Sequence, residues 1–451
     1  MLLVYTPKIT NRVKYVFKHI LTHFLGIEIT LTTDQNAFAA STLPKLNYSN
    51  KPIADELFFY AAPLLFERGI KPQTFKIERY RDTVIFYIAK NSSDLPFDLF
   101  AATFYLITRY EEYLPHKTDQ HGRYPAEESL AYHEQFLHQP VIDIWAHWLW
   151  AILLRYYPQL PVTKRGYRFI PTYDIDLAYA YANKGLLRSI GGYLQDARLL
   201  NYQAILERTK VLLRLKTDPF DTFNWQFELQ KKYRFKPVYF ILLCEYAQFD
   251  KNISFENLQF QELICRIADF SEVGIHPSYN SNKDVRILQA ETTNLEFVLR
   301  KEIKRSRQHY IKLHLPNTYQ NLIELAINKD YTMGYPQKPG FRASTCSSFF
   351  FYDLTLEMET KLKIFPFTVM DVTLQQYQQL KPDQAFAAVL PLIEQVKAVN
   401  GIFSTIWHNH TLSNRNEWQG WRDVYEAIVK EATPENKVKT IDMPIQLLNL
   451  T

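Results

Sequence analysis

Two aspartates stand one residue apart at the end of the stretch RFIPTYDID, residues 168–176. An apolar run broken only by Pro171 leads into them. Residues i and i+2 of a strand point to the same face, so Asp174 and Asp176 would project together while Ile175 turns into the packing. Two close carboxylates repel each other, and one pKa rises unless a cation lies beside them. A divalent metal bound by one carboxylate and a histidine relieves that repulsion. The other carboxylate can then take a proton from a water that the metal activates, the division of labour of metal-assisted hydrolysis. A lone pair of this kind is also read as a turn or a helix N-cap.

Other polar residues favour the chemical reading. Apolar strand candidates occur at 168–173, 236–244, 272–276, 340–345, 364–372 and 401–408. Nearly every one finishes in an ionisable or strongly polar group: Asp174 and Asp176, then His276, Arg342, Asp371 and His408 with His410. In parallel α/β folds, ligands gather at the carboxyl ends of strands. Arg342 could hold a carboxylate by a bidentate hydrogen bond, or be a loop arginine at the surface. Asp371 ends an apolar run, where an unpaired acid is costly, so His408 or Arg342 is its expected partner; a capping aspartate is the alternative. His408 suits a general acid because histidine titrates near neutrality, although a satisfied core histidine reads the same way. The nearby aromatics Tyr279, Phe349, Phe350, Phe351, Tyr352, Trp407, Trp418 and Trp421 suit either a sugar-stacking wall or ordinary core packing.

These residues need a scaffold. Helical periodicity separates several of the strands, as in 256–270 and 317–330. Strand and helix in alternation predict an α/β domain with a mainly parallel sheet or barrel over residues 165–445. Residues 1–160 form a different region, a smaller α+β domain of unassigned role. There the pattern predicts a strand at 82–90 and helices at 96–114 and 140–157. The stretch PQLPVTKRGYR (158–168), with its prolines, glycine and basic residues, is the expected linker.

Composition narrows the function. In 451 residues, Lys and Arg number 52 against 47 for Asp and Glu, a net charge of +5 with no basic run. That balance gives no reason to expect nucleic acid. Cys244, Cys265 and Cys346 form neither a disulfide framework nor a cysteine metal site. No Gly-rich phosphate loop is present. No apolar segment of signal-peptide or transmembrane length stands in the chain, so a cytoplasmic protein is expected, with peripheral membrane contact open.

In this order, the motifs resemble the polysaccharide deacetylase family, the NodB-homology (carbohydrate esterase family 4-like) enzymes. The residues that carry the resemblance are TYDID, HPSYNS, GFRAST, VMDVT and TIWHNHTLS. More narrowly, SRQHYIKLHLPNTY, DYTMGY and the upstream FDLFAATFYLITRYEEYLPH resemble a bacterial branch with an extra N-terminal domain. The resemblance implies a distorted (β/α)7 barrel and removal of acetyl groups, foremost N-acetyl, from a carbohydrate or polysaccharide. It implies Asp174 as general base, Asp176 and His276 as metal ligands, and Arg342 orienting Asp174. It also implies Asp371 tuning His408, with His408 as the acid. The cofactor would be a divalent metal, zinc first, with cobalt or nickel in its place. One departure is plain: where the family has its second metal histidine, four residues after His276, this chain has Asn280. The third ligand would then be His410, the Asn280 oxygen or water, or the site would hold metal weakly or not at all. A rival reading is therefore a catalytically degenerate carbohydrate-binding protein on the same scaffold. A third is that the N-terminal region recruits a partner or a polymer-export machine.

Overall fold

A computed structural model describes residues 1–90, 92–161 and 165–434 of the chain. The expected end of the second domain at 445 lies outside the described residues, as do residues 162–164 of the expected linker. Near the N-terminus, strands β1 (Leu2–Tyr5), β2 (Ile29–Thr32), β3 (Lys45–Ser49) and β4 (Leu57–Tyr60) form a parallel sheet in the order β2-β1-β3-β4. A hairpin of β5 (Ile77–Tyr80) and β6 (Thr83–Phe86) follows. Helices Leu99–Ile107 and Val141–Tyr156 occupy the predicted positions. The first begins at Asp98, whose carboxylate accepts from the backbone N–H groups of Phe100 and Ala101, an N-cap. It stops well before the predicted residue 114, because Arg109 adopts a left-handed conformation (φ 54°). That turn aims the Arg109 guanidinium at Glu111 and Glu112, and the two ion pairs offset the backbone strain.

The second region is built on nine strands: β7 (Arg168–Ile175), β8 (Val238–Ile241), β9 (Glu272–Ile275), β10 (Arg305–Ser306), β11 (Lys329–Asp330), β12 (Phe349–Asp353), β13 (Met358–Ile364), β14 (Val369–Met370) and β15 (Ile402–His408). Their order is β12-β13-β11-β10-β9-β8-β7-β15-β14, and all neighbours are parallel except β12 and β13. The mixed α/β class with a parallel sheet is as expected. The expected distorted (β/α)7 barrel does not close: among the described residues, β12 and β14 remain edges with no pairing between them. Two strand assignments also change. Residues 340–345 form a loop, and 364–372 is not one strand: Ile364 ends β13, the chain then leaves the sheet, and Val369–Met370 pair separately with β15.

Register decides what the strand ends present. Asp174 on β7 lies opposite His408 on β15, and Ile175 aligns with Ile241, itself opposite Ile275. Ile275 in turn lies opposite Ser306. The next residues along β9 and β10 are therefore His276 and Arg307, side by side. A slip of one residue would turn each of these side chains to the other face.

The two sheets share one continuous apolar core, which includes Leu2, Val13 and Phe100 from the first region and Tyr173, Phe403 and Trp407 from the second. Polar ties cross the same seam. Arg12 pairs with Glu357, and Tyr15 donates to the Phe350 carbonyl at 2.6 Å. The buried Asp143 carboxylate accepts from Thr345, Ser347 and the Cys346 N–H. Deepest of all, Arg342 forms a two-pronged pair with Glu112 (2.9 and 2.7 Å), and Arg109 donates to the Arg342 carbonyl oxygen. No helix among the described residues is long and apolar enough to cross a membrane.

Glu112 is the keystone of this seam, since it neutralises two buried guanidiniums. Removing one member of such a pair leaves an uncompensated buried charge, so Glu112→Gln should cost about 3–5 kcal/mol in urea unfolding at neutral pH. Burial opposes ionisation of Glu112, but Arg342 and Arg109 hold its carboxyl down, from 4.5 to about 2. A depressed carboxyl contributes stability that is complete above 4.5 and is lost as pH falls toward 2. The acid-side loss of stability should therefore be shallower in Glu112→Gln than in the wild type.

Candidate metal and catalytic centre

At the carboxyl ends of β7, β9, β10 and β15 a cavity of about 310 Å³ opens to solvent, floored by Asp174, Asp176, His276, His309, His408 and His410. The register above delivers Asp174, His276 and His408. Asp176 follows β7 directly, and His309 lies three residues beyond β10.

Three imidazoles turn the same edge toward one carboxylate. His276 Nε2 lies 3.2 Å from Asp176 Oδ1, while His309 Nε2 and His408 Nε2 lie 3.6 and 3.5 Å from Asp176 Oδ2. The opposite ring nitrogens are all engaged. His276 Nδ1 meets the Arg307 carbonyl oxygen at 2.6 Å. A carbonyl can only accept, so this nitrogen carries the proton and Nε2 presents its lone pair. His309 Nδ1 is held in the same way by Asp250 at 2.8 Å, and His408 Nδ1 by Asp371 at 2.9 and 3.0 Å. Such outer partners fix the tautomer and aim of metal-binding histidines.

The result is a cluster of lone pairs in need of a cation. Asp176 Oδ1 is buried and makes no hydrogen bond. Lone pairs on Asp176, His276 and His309 face one another within 4.8 Å, the donor set and spacing that hold a divalent ion. Protons fill part of that need. Although burial disfavours charge, Asp176 and Asp250 raise His309 to about 9, and Asp371 and Asp176 raise His408 to about 10. Asp176 itself stays well below the usual carboxylate range: burial pushes it up, but His309 and His408 outweigh that. These residues fit a zinc-like ion by donor type, by orientation and by the orphaned Asp176 oxygen.

Asp174 occupies a different place. Its Oδ1 accepts from Arg307 Nη1 at 3.1 Å, and its Oδ2 lies 3.8 Å from His276 Nε2. Arg307 is fully buried, anchored also on Thr172 and the Tyr331 carbonyl. His408 stands across Asp176, backed by Asp371, which is fixed in turn by the His408 and Val372 N–H groups and the Thr411 hydroxyl. The His410 ring lies 5.3 Å from that of His408, tilted by 51°, and burial together with the His408 charge lowers it to about 4.

The structure thus brings together Asp174, Asp176, His276, Asp371 and His408 and corrects Arg342. Arg342 does not reach Asp174, because it sits in a loop where Glu112 of the first region holds it. The guanidinium on Asp174 belongs to Arg307. Asn280 is no substitute ligand either. It is exposed and lines a separate cavity, and His309 stands where a third ligand is needed. Both missed residues lie in RSRQHY, after a strand only two residues long that makes no apolar run. The polar Arg-x-His pattern inside RSRQHY was the available signal. The aromatic wall is also different: Phe249, Tyr310 and Tyr377 line the cavity, whereas Phe349, Phe351, Tyr352, Trp407, Trp418 and Trp421 are buried.

Comparison with known proteins adds the following. Residues 2–158 match the model of a family of unknown function, DUF7033. No curated protein sequence matches the chain. Among solved structures, a protein of Mycobacterium smegmatis provisionally described as a polysaccharide deacetylase is similar at 13% identity and a TM-score of 0.39, over 60% of this chain and 87% of that one. PuuE allantoinase is similar at 11% identity and a TM-score of 0.39, over 72% and 92% of the two chains. A CE4 family pseudoenzyme from Bacillus anthracis is similar at 13% identity and a TM-score of 0.28, over 59% and 61%.

Isothermal titration with zinc should give one site per chain. His309→Ala should abolish tight binding, while Asp250→Asn, which only loosens the aim of His309, should weaken it roughly 10–100-fold. Arg342→Lys should leave zinc affinity unchanged wherever it folds.

Proposed function

We propose that this centre is a metal-dependent hydrolase site that removes acetyl groups, foremost N-acetyl, from a sugar or polysaccharide. The carrying observation is the separation of roles around Asp176. One carboxylate, Asp174, is held by a buried arginine on one side, and an imidazole backed by Asp371 stands on the other. Asp176, His276 and His309 would hold the divalent ion, with zinc the first expectation and cobalt or nickel able to replace it. When bound, the ion supplies Lewis acidity: it polarises the acyl carbonyl and eases deprotonation of water.

The chain's own groups do the rest. Arg307 fixes one oxygen of Asp174 and leaves the other to accept a proton from the attacking water. The Asp371 carboxylate holds the His408 ring so that Nε2 points into the cavity, where it can deliver a proton to the departing amine or alkoxide. Water and the acyl carbon would then meet between base and acid, each within reach of the cavity floor. An acetylated sugar is supported by the motif order of the sequence and by the cavity wall. Phe249, Tyr310 and Tyr377 offer ring faces, and Gln248, Gln376 and Lys251 offer hydroxyl partners. The degenerate-scaffold reading loses its motive, since it rested on Asn280 and His309 supplies the missing imidazole. We further propose residues 1–160 and 165–445 as the two domains, working as one unit.

Acetate release from acetylated sugar oligomers should need added zinc, cobalt or nickel and stop with a chelator. Asp174→Asn should lower kcat by about 10²–10⁴ while zinc still binds. His408→Gln should harm amide substrates far more than an activated acetyl ester, whose leaving group needs no proton. Turnover that survives chelation or Asp174→Asn would refute the reading.

A further inference from the structure

A second polar cavity, of about 270 Å³, lies at the opposite, amino end of the large sheet. Its cationic lining is Arg165, Arg168 and Lys363, with His19 and His23 contributed by the first region. Arg168 opens β7 and Asp174 lies six residues along the same strand, so the cavity is roughly 20 Å from the catalytic centre.

Two of its side chains, His19 and Arg165, keep buried polar atoms without a hydrogen-bond partner, although Arg165 also lies over the Phe24 ring and Lys363 over the Phe350 ring. His19 is only 3% exposed, yet neither ring nitrogen has a hydrogen-bond partner among the described residues. Arg165 donates one Nη to Ser347 at 2.7 Å, while its other Nη is buried and unpartnered. Arg165, Arg168 and Lys363 form no ion pair with any described residue, although two acids lie nearby. Asp143 acts on Arg165 from a distance, but its oxygens are taken by Thr345, Ser347 and the Cys346 N–H. Glu359, beside His23, pairs with Lys18. Among the described residues, no acid lines the cavity. Burial lowers His19 to about 3, with His23, Arg165 and Lys363 adding to the effect.

Buried donors without acceptors are costly, and the partly buried Arg165 and Lys363 with the exposed Arg168 set positive charge beside them, so a multivalent anion would satisfy the donors and balance that charge. We propose that this cavity binds a phosphate group, free or carried on a small ester, between Arg165, Lys363 and Arg168, with His19 as a further donor. A carboxylate would offset only one of three positive charges, whereas a phosphate carries nearly two negative charges and more acceptor oxygens. At about 30 Å³ per water, the cavity has room for roughly nine waters, more than a bare phosphate requires. The occupant would touch both regions of the chain, so its binding would raise the stability of the whole.

The test is calorimetric titration of the full chain with inorganic phosphate and, separately, glucose 6-phosphate, at constant ionic strength, with chloride and glucose as controls. Wild type and Asp176→Asn should bind one phosphate group with equal affinity and raised Tm. Arg165→Gln and Lys363→Gln should each weaken binding roughly tenfold or more, with folding checked by their Tm in chloride. Because Lys363 is only half-buried, its variant stands if Arg165→Gln does not fold. Tighter binding of the ester would identify a phosphorylated small molecule as the occupant, and equal affinity would identify phosphate itself. Absence of saturable binding, equal binding by both cavity variants, or loss of binding in Asp176→Asn would each overturn the proposal.

Discussion

Everything at this end of the sheet depends on one contact: the Asp176 carboxylate surrounded by three imidazole edges, which calls for positive charge among them. Each ring has its Nδ1 proton committed elsewhere, so Nε2 can only offer a lone pair or take up an added proton. Lone pairs at 3.2–3.6 Å from a half-buried carboxylate cost energy unless positive charge sits among them. Added protons on His309 and His408 supply part of that charge, and the fold must hold the rings in place around it. It does so through buried second partners: the Arg307 carbonyl, Asp250 and Asp371.

Those partners are themselves fixed by the sheet. Parallel pairing of β7 with β15 and β8, and of β9 with β10, places residues from four strands at one edge. Arg307 has two duties there. Its carbonyl sets the tautomer of His276 and its guanidinium holds Asp174, so a single residue links these two side chains. The first region contributes in a different way. By taking Arg342 into the pair with Glu112, and by packing into the same apolar core, it ties the loop that carries Arg342 to the first region. The region also reaches the cavity rim, where Arg123 donates to the Tyr310 carbonyl at 2.7 Å and His121 packs on Tyr310.

Much of the site is legible in sequence because long apolar strands announce their polar ends. TYDID, GIHP, VMD and TIWH each place an ionisable residue just past buried side chains, and all four meet in space. Arg307 and His309 escape the same reasoning because β10 pairs over only two residues and makes no apolar signal. Arg342 misleads for the opposite reason. Its setting in GFRAST looks like a strand, but it is a buried loop whose acid partner lies 230 residues upstream. Sequence spacing carries no information about which acid a buried arginine will find. The open sheet was also beyond reach, since alternating strand and helix describe closed and open parallel sheets equally well.

The central claim is that Asp176, His276 and His309 together hold a divalent metal that serves Asp174 and His408. Crystals of the zinc-loaded protein, measured at the zinc absorption edge, test it most directly. The account predicts a single anomalous peak bonded to Nε2 of His276 and His309 at about 2.0–2.1 Å and to a carboxylate oxygen of Asp176, with His408 unbonded. A peak elsewhere, or one bonded to His408 in place of His309, would contradict it.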